Sequence, residues 1–220
     1  MAPRARPTPL GLAVLSLLEV GPLHPYGMQR LIKLWGKDQV VNVGQRANLY
    51  RVINRLHEAG LIAVLQTEKD QQFPERTVYE LTEAGRQTSR EWLTTMLSSY
   101  HNEFPEFPAA LSFVMMMAPQ ESLRLLDQRA EGLRQEIAKL EHELDAYSPT
   151  LPRVTLLDTE YLRALARAEL TWIDALTDDL RSGSLTWSYE ELEAFIVADD
   201  PLRGAVEAGG AGRDEGPPPS

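Results

Sequence analysis

Residues 44–85, GQRANLYRVINRLHEAGLIAVLQTEKDQQFPERTVYELTEAG, restrict the possible folds more than any other stretch. Leu49, Val52, Ile53 and Leu56 recur at helical spacing and predict a helix over 45–59 with one face turned inward. Gln45, Asn48, Arg51 and Arg55 line the other side, flanked by Arg46, Tyr50, Asn54 and His57, and no carboxylate appears before Glu58. Such a face can enter a DNA major groove, where Arg reads guanine, Asn and Gln read adenine, and a Tyr hydroxyl reaches phosphate. A solvated amphipathic helix fits the same residues equally well. The residues after the helix narrow the choice. Gly60 supplies a left-handed helix stop, 61–67 and 76–81 read as strands around the polar loop EKDQQFPE, and 82–85 open another helix. Helix, strand, polar tip and return strand form the recognition helix and wing of a winged helix-turn-helix.

Charge is unevenly divided. The 220 residues carry a net −10, yet residues 1–100 hold 12 Lys and Arg against 9 Asp and Glu, net +3. Residues 101–220 hold 10 against 23, net −13, so a weakly basic head joins an acidic body. With no cysteine, disulfides, thiolate zinc sites and cysteine nucleophiles are excluded. The apolar run 10–18 is too short to span a bilayer. Arg4 and Arg6 precede it as in a signal peptide, but no small-residue cleavage site follows, so a cytoplasmic protein is expected.

In chain order, 1–7 reads as a flexible arm. Thr8 and Pro9 open an apolar helix over 10–20, ended by Gly21-Pro22. A second helix is predicted over 28–35 with Leu31, Ile32 and Leu34 inward, and Tyr26 and Gln29 near its start can face a phosphate. The segments LGLAVLSLLEVGPLHPYGMQRLIK, NLYRVINRLHEAGLI and FPERTVYELTEAGR together resemble the PadR family of transcriptional regulators. In that family a Gly-Tyr or His-Pro-Tyr element opens the second helix and a Ser/Thr-Leu-Tyr triplet opens the recognition helix. Here Asn48 replaces the Ser or Thr before Leu49-Tyr50, and Ala47 replaces a usual Gly. The resemblance implies that Tyr26, Asn48, Tyr50, Arg51, Arg55 and the wing residue Arg76 lie at the DNA surface. Reading the helix itself adds Gln45 and Arg46.

Beyond residue 85 the pattern is helical. Trp92, Leu93, Met96 and Leu97 mark the apolar side of a helix over 82–100, and 109–117 reads as a short apolar helix. From Pro119 onward, Leu123, Leu126, Ala130, Leu133, Ile137, Leu140, Leu144 and Tyr147 alternate three and four apart, a coiled-coil seam. Parallel self-pairing would set Arg129 near Arg134 and Glu136 near Glu141. An antiparallel partner is therefore expected, within the chain or across a dimer. One candidate is 156–180, whose stripe runs Tyr161, Leu165, Ala168, Trp172 and Leu176, widened by Leu162, Ile173 and Leu180. Ser188 to Glu191 form a capping box for a last short helix, and 199–220 is Gly-, Pro- and acid-rich, as in disordered tails.

The expected architecture is mainly α. A winged helix-turn-helix over 8–85 precedes a helical dimerisation domain with a coiled-coil-like helix over 86–198. The resemblance extends here, because the longer PadR-like proteins dimerise through an all-helical carboxyl-terminal region. It assigns dimerisation to Leu123, Leu126, Leu133, Ile137, Leu140 and Leu144. Some family members respond to aromatic or hydrophobic small molecules near the dimer interface. Phe113 and Trp172 are the candidate ligand residues, although aromatics at helical spacing are more often core. His24, His57, His101 and His142 lack ligand spacing, and neither a phosphate loop nor a nucleophile elbow occurs, so no cofactor, metal or enzymatic role is expected. The leading expectation is a homodimeric regulator, a repressor of a palindromic double-stranded DNA operator. A winged-helix assembly module and a small-molecule sensor without a primary DNA role are the alternatives.

Overall fold

Two compact units, Met1–Asn102 and Glu103–Ser220, make up the chain. The computed structural model describes residues 6–188 except 45, 71, 72 and 102, together with 190, 191 and 194. The first unit extends past residue 85 because the helix after the wing belongs to it.

That unit begins with α1 (Pro9–Val20), where the Thr8 hydroxyl accepts the Gly11 N–H at 3.1 Å and Pro9 fills the first turn. Leu10, Val14, Leu15, Leu17 and Leu18 are buried, as its near-continuous hydrophobicity requires. In α2 (Pro25–Leu34), His24 caps through Nδ1, which accepts the Gly27 N–H at 2.7 Å. The helix therefore begins three residues before the expected Met28. Met28 and Ile32 face the core, whereas Leu34 and Trp35 are exposed. A 3-10 turn, Lys37–Gln39, leads to α3 (Arg46–Glu58), which ends at Gly60 with φ 72°.

Strands β1 (Ile62–Asp70) and β2 (Phe73–Leu81) pair antiparallel from Ile62↔Leu81 to Asp70↔Phe73, with irregularities between Val64 and Gln66 and between Glu68 and Asp70. Most of the expected polar loop is therefore strand. Backbone hydrogen bonds extend a two-stranded ribbon without apolar side chains, so polarity marked the wing tip as loop too early. Reciprocal 3.0 Å hydrogen bonds join Leu23 to Tyr79, tying the entrance of α2 to the ribbon.

α4 (Glu83–Ser98) is capped by Thr82, whose hydroxyl accepts the Gly85 N–H at 3.0 Å and donates to the Leu61 carbonyl at 2.9 Å. Gly85 is required there, since a Cβ would lie 2.0 Å from the Leu61 carbonyl oxygen. Trp92 is buried in the shared core, whereas Leu93 and Leu97, expected on the same apolar side, are exposed.

In the second unit, α5 (Glu106–Leu111) and a 3-10 turn, Val114–Met116, replace the continuous helix expected over 109–117. Two long helices come next, α6 (Pro119–Tyr147) and α7 (Leu157–Ser182), packed antiparallel. Arg134 bonds Asp174 at 2.7 Å and Arg129 bonds Glu169 at 2.5 Å, while Arg167 pairs with Glu141 and Arg181 with Asp127. The antiparallel partner lies in the same chain and supplies opposite charge to four α6 residues beside the seam, Asp127, Arg129, Arg134 and Glu141. After Gly183, Trp187 Nε1 donates to the Met117 carbonyl at 2.8 Å, and Ser188 and Glu191 cap each other reciprocally, as expected. Residues 190, 191 and 194 are helical, and the rest of the predicted last helix and the tail lie outside the described residues.

Candidate nucleic-acid interface

The recognition helix α3 is held by its inner face: Leu49, Val52, Ile53 and Leu56 are all buried in the first unit's core. Its outer face presents Tyr50, Arg51, Asn54 and His57 to solvent. Arg51 has no carboxylate partner among the described residues, and the first acid on the helix is Glu58. Arg46 opens α3, and Arg76 sits in β2 opposite Glu68. Gln45 lies outside the described residues. Tyr26 is exposed in the first turn of α2, with its ring 6.1 Å from that of His24. One N–H of the Gln29 amide is taken up, since Nε2 donates to the Val43 carbonyl at 3.2 Å.

Two residues of the expected face are only half-exposed, Asn48 and Arg55. Arg55 corrects the even amphipathic picture: its Nη2 donates to Thr8 Oγ1 at 3.3 Å, and its Nε is buried without a hydrogen-bond partner. Arg51, Arg55 and Asn48 line a cleft of about 420 Å³ with Thr8 and Asn42. Thr8 and Asn42 escaped sequence reasoning. Thr8 was legible as a cap, but nothing local announces that it meets a side chain 47 residues away.

Tyr79 ties the wing to the recognition helix. The His57 ring stands edge-on to it at 6.1 Å. Burial, and secondarily the Tyr50 phenol, pushes the Tyr79 hydroxyl above its ordinary value of 10.0, so it is a neutral donor at physiological pH.

Residues 14–91 match the family of PadR-like transcriptional regulators. Those residues form a PadR-like domain. PadR-like proteins are DNA-binding regulators rather than enzymes. Among solved structures, the chain is similar to Bacillus subtilis PadR in complex with operator DNA, at 19% identity and TM-score 0.62, covering 78% of this chain and 98% of that one. The same protein in complex with p-coumaric acid gives 17% identity and TM-score 0.60, covering 80% and 99%. The Vibrio cholerae virulence activator AphA gives 19% identity and TM-score 0.58, covering 79% and 98%. At these identities the likeness establishes a shared winged-helix and helical fold. No curated protein sequence matches the chain significantly.

The helical unit of this PadR-like chain rearranges the expected ligand and dimer residues. Trp172, 48% exposed, stands edge-on to Phe107 at 6.3 Å, and the Arg129 guanidinium lies 3.8 Å from the Phe107 ring centre. They line an open cleft of about 580 Å³. Phe113 is exposed and does not line it, whereas Phe107 does. Of the seam residues, Leu126, Ile137, Leu140 and Leu144 are buried, and Leu123 and Leu133 half-buried, within the single chain. The four buried residues are covered within the α6–α7 hairpin, whereas Leu123 and Leu133 keep part of their surface exposed. On α7 the buried line is Ala166, Ile173 and Thr177, leaving Leu157, Tyr161, Leu165 and Trp172 on the outside.

Proposed function

We propose that the protein binds a palindromic operator as a homodimer and represses transcription there. The observation that carries this reading is the outer face of α3, where Tyr50, Arg51, Asn54 and His57 stand on a helix whose opposite face is locked into the core. Asn48, Tyr50 and Arg51 are the base-facing set, joined by Arg46 from the helix start, Arg76 from the wing and Tyr26 from α2. A single helix reads only a few base pairs, and a two-fold dimer reads two half-sites roughly 34 Å apart. The dimer surface is the exposed stripe of α7, Leu157, Tyr161, Leu165 and Trp172, because most of the α6 seam is consumed within the chain. A small aromatic or hydrophobic effector at the Phe107–Trp172 cleft, beside that stripe, releases DNA by altering half-site spacing.

The test is binding of the full-length protein to a duplex containing its own upstream region, against a scrambled duplex, over a salt titration. Specific binding whose log affinity falls linearly with log salt is the expected result. A folded dimer that retains no genomic fragment at any salt refutes the reading and leaves a winged-helix assembly module.

A further inference from the structure

Three features of the Arg55 cleft are unfavourable in the free protein. Arg55 and Arg51, four residues apart on α3, bring two guanidinium groups to a cleft lined by no carboxylate. Arg55 is bonded to the cap of α1, the end of a helix that already repels a cation, and the first turn of α1 carries no acid to offset it. Its Nε is buried and unpaired, a state that is costly for a charged group. Capping does not explain the arrangement, since Thr8 Oγ1 already accepts the Gly11 N–H. One anion in the cleft offsets the first two directly, and gives the unsatisfied guanidinium of Arg55 a charged partner. The cleft shares Asn48 and Arg51 with the outer face of α3, so an anion there sits beside whatever α3 reads.

The geometry points to a seat for one DNA backbone phosphate, closed by Arg55 on one side and by Thr8 and Asn42 on the other, with the base-facing Arg51 lending its charge from the edge. Arg55 is then a backbone anchor that fixes the register of α3, not a reader of bases. The inference rests on the DNA-binding reading above and adds the start of α1 to the interface. A phosphate contact carries no sequence information, so its loss weakens specific and non-specific binding alike.

The experiment uses the full-length protein, the upstream duplex and a scrambled duplex. Arg55→Ala is expected to lower affinity for both about fivefold per protomer at physiological salt, and to reduce the log–log salt slope by about 0.9 per protomer, with their ratio unchanged. A scan of duplexes carrying one neutral methylphosphonate each locates the seat. Wild type loses affinity at each contacted phosphate, and at one of these positions per half-site Arg55→Ala loses nothing further. Arg55→Lys, which keeps the cation, retains the slope and guards against misfolding of the alanine variant.

A changed ratio between duplexes with an unchanged slope makes Arg55 a base reader and overturns the proposal. So does stabilisation of wild type, but not Arg55→Ala, by inorganic phosphate while DNA affinity stays equal, because the cleft is then a free-anion site. Wild type that binds neither duplex refutes the DNA reading itself, a different result from wild type that binds and is indifferent to Arg55.

Discussion

Gly85 and Gly132 make a matched pair of helical glycines on which one substitution should have opposite signs. In Gly85→Ala the new Cβ would stand 2.0 Å from the Leu61 carbonyl oxygen and 2.7 Å from Leu81 Cδ1. Ordinary contact demands more than an ångström of extra separation, and the nearest obstacle is backbone. The same carbonyl accepts the Thr82 N–H at 3.2 Å and the Thr82 hydroxyl at 2.9 Å, so displacing it weakens the joint between β1 and α4. Overpacking costs about 1–3 kcal/mol, and the impaired Thr82 N–H bond adds about 1 kcal/mol, while the hydroxyl keeps its 2.8 Å bond to the Gly60 carbonyl. Alanine's better helix propensity returns about 1 kcal/mol. The expected net is a destabilisation of about 2 kcal/mol. Gly132 lies exposed within α6, and a Cβ there meets nothing within 4 Å, so Gly132→Ala should stabilise by about 1 kcal/mol. Urea denaturation followed by circular dichroism, with hydrogen exchange resolved on β1 and α4, measures each unit separately. Gly85→Ala unfolding at the wild-type urea midpoint would refute the close-approach argument.

Leu140→Ala should cost about 2–5 kcal/mol in hairpin stability without changing the oligomeric state, whereas Leu165→Glu should split the proposed dimer in light scattering and leave helicity intact. Arg51→Ala is expected to weaken operator binding by about 1–3 kcal/mol, with Tyr50→Phe weaker in effect, in fluorescence anisotropy on dimers of unchanged mass. The Tyr79 phenol should titrate above 10.0 in ultraviolet difference spectra, and Tyr79→Phe should remove that step. Because folding raises this group's value, its contribution to stability is full below the ordinary phenol value and is lost as pH rises through the folded one.

The recognition helix, the Gly60 stop and the N-terminal caps were legible because each is a local pattern of side-chain type and spacing. The α6 seam was legible for the same reason, and its charges announced an antiparallel partner before any partner was known. Which face of α7 meets it was legible only in part. Ile173, Leu176 and Leu180 of the expected set do pack in the α6–α7 core, but Tyr161, Leu165 and Trp172, which hydropathy favours, lie outside. The small residues Ala166 and Thr177 are buried instead, as at close approaches of a long helix pair. Periodicity counts apolar residues around a helix but holds no information about how near the next helix comes. Arg55 fails in the same way: its spacing from Arg51 places it on the polar face, and only the arrival of α1 from 47 residues earlier makes it half-buried. Both misreadings come from long-range approach, and both fall where a second molecule is proposed to bind. The residues that local pattern misplaced are therefore those whose environment, in this reading, is completed by DNA at the Arg55 cleft and by the second protomer at α7.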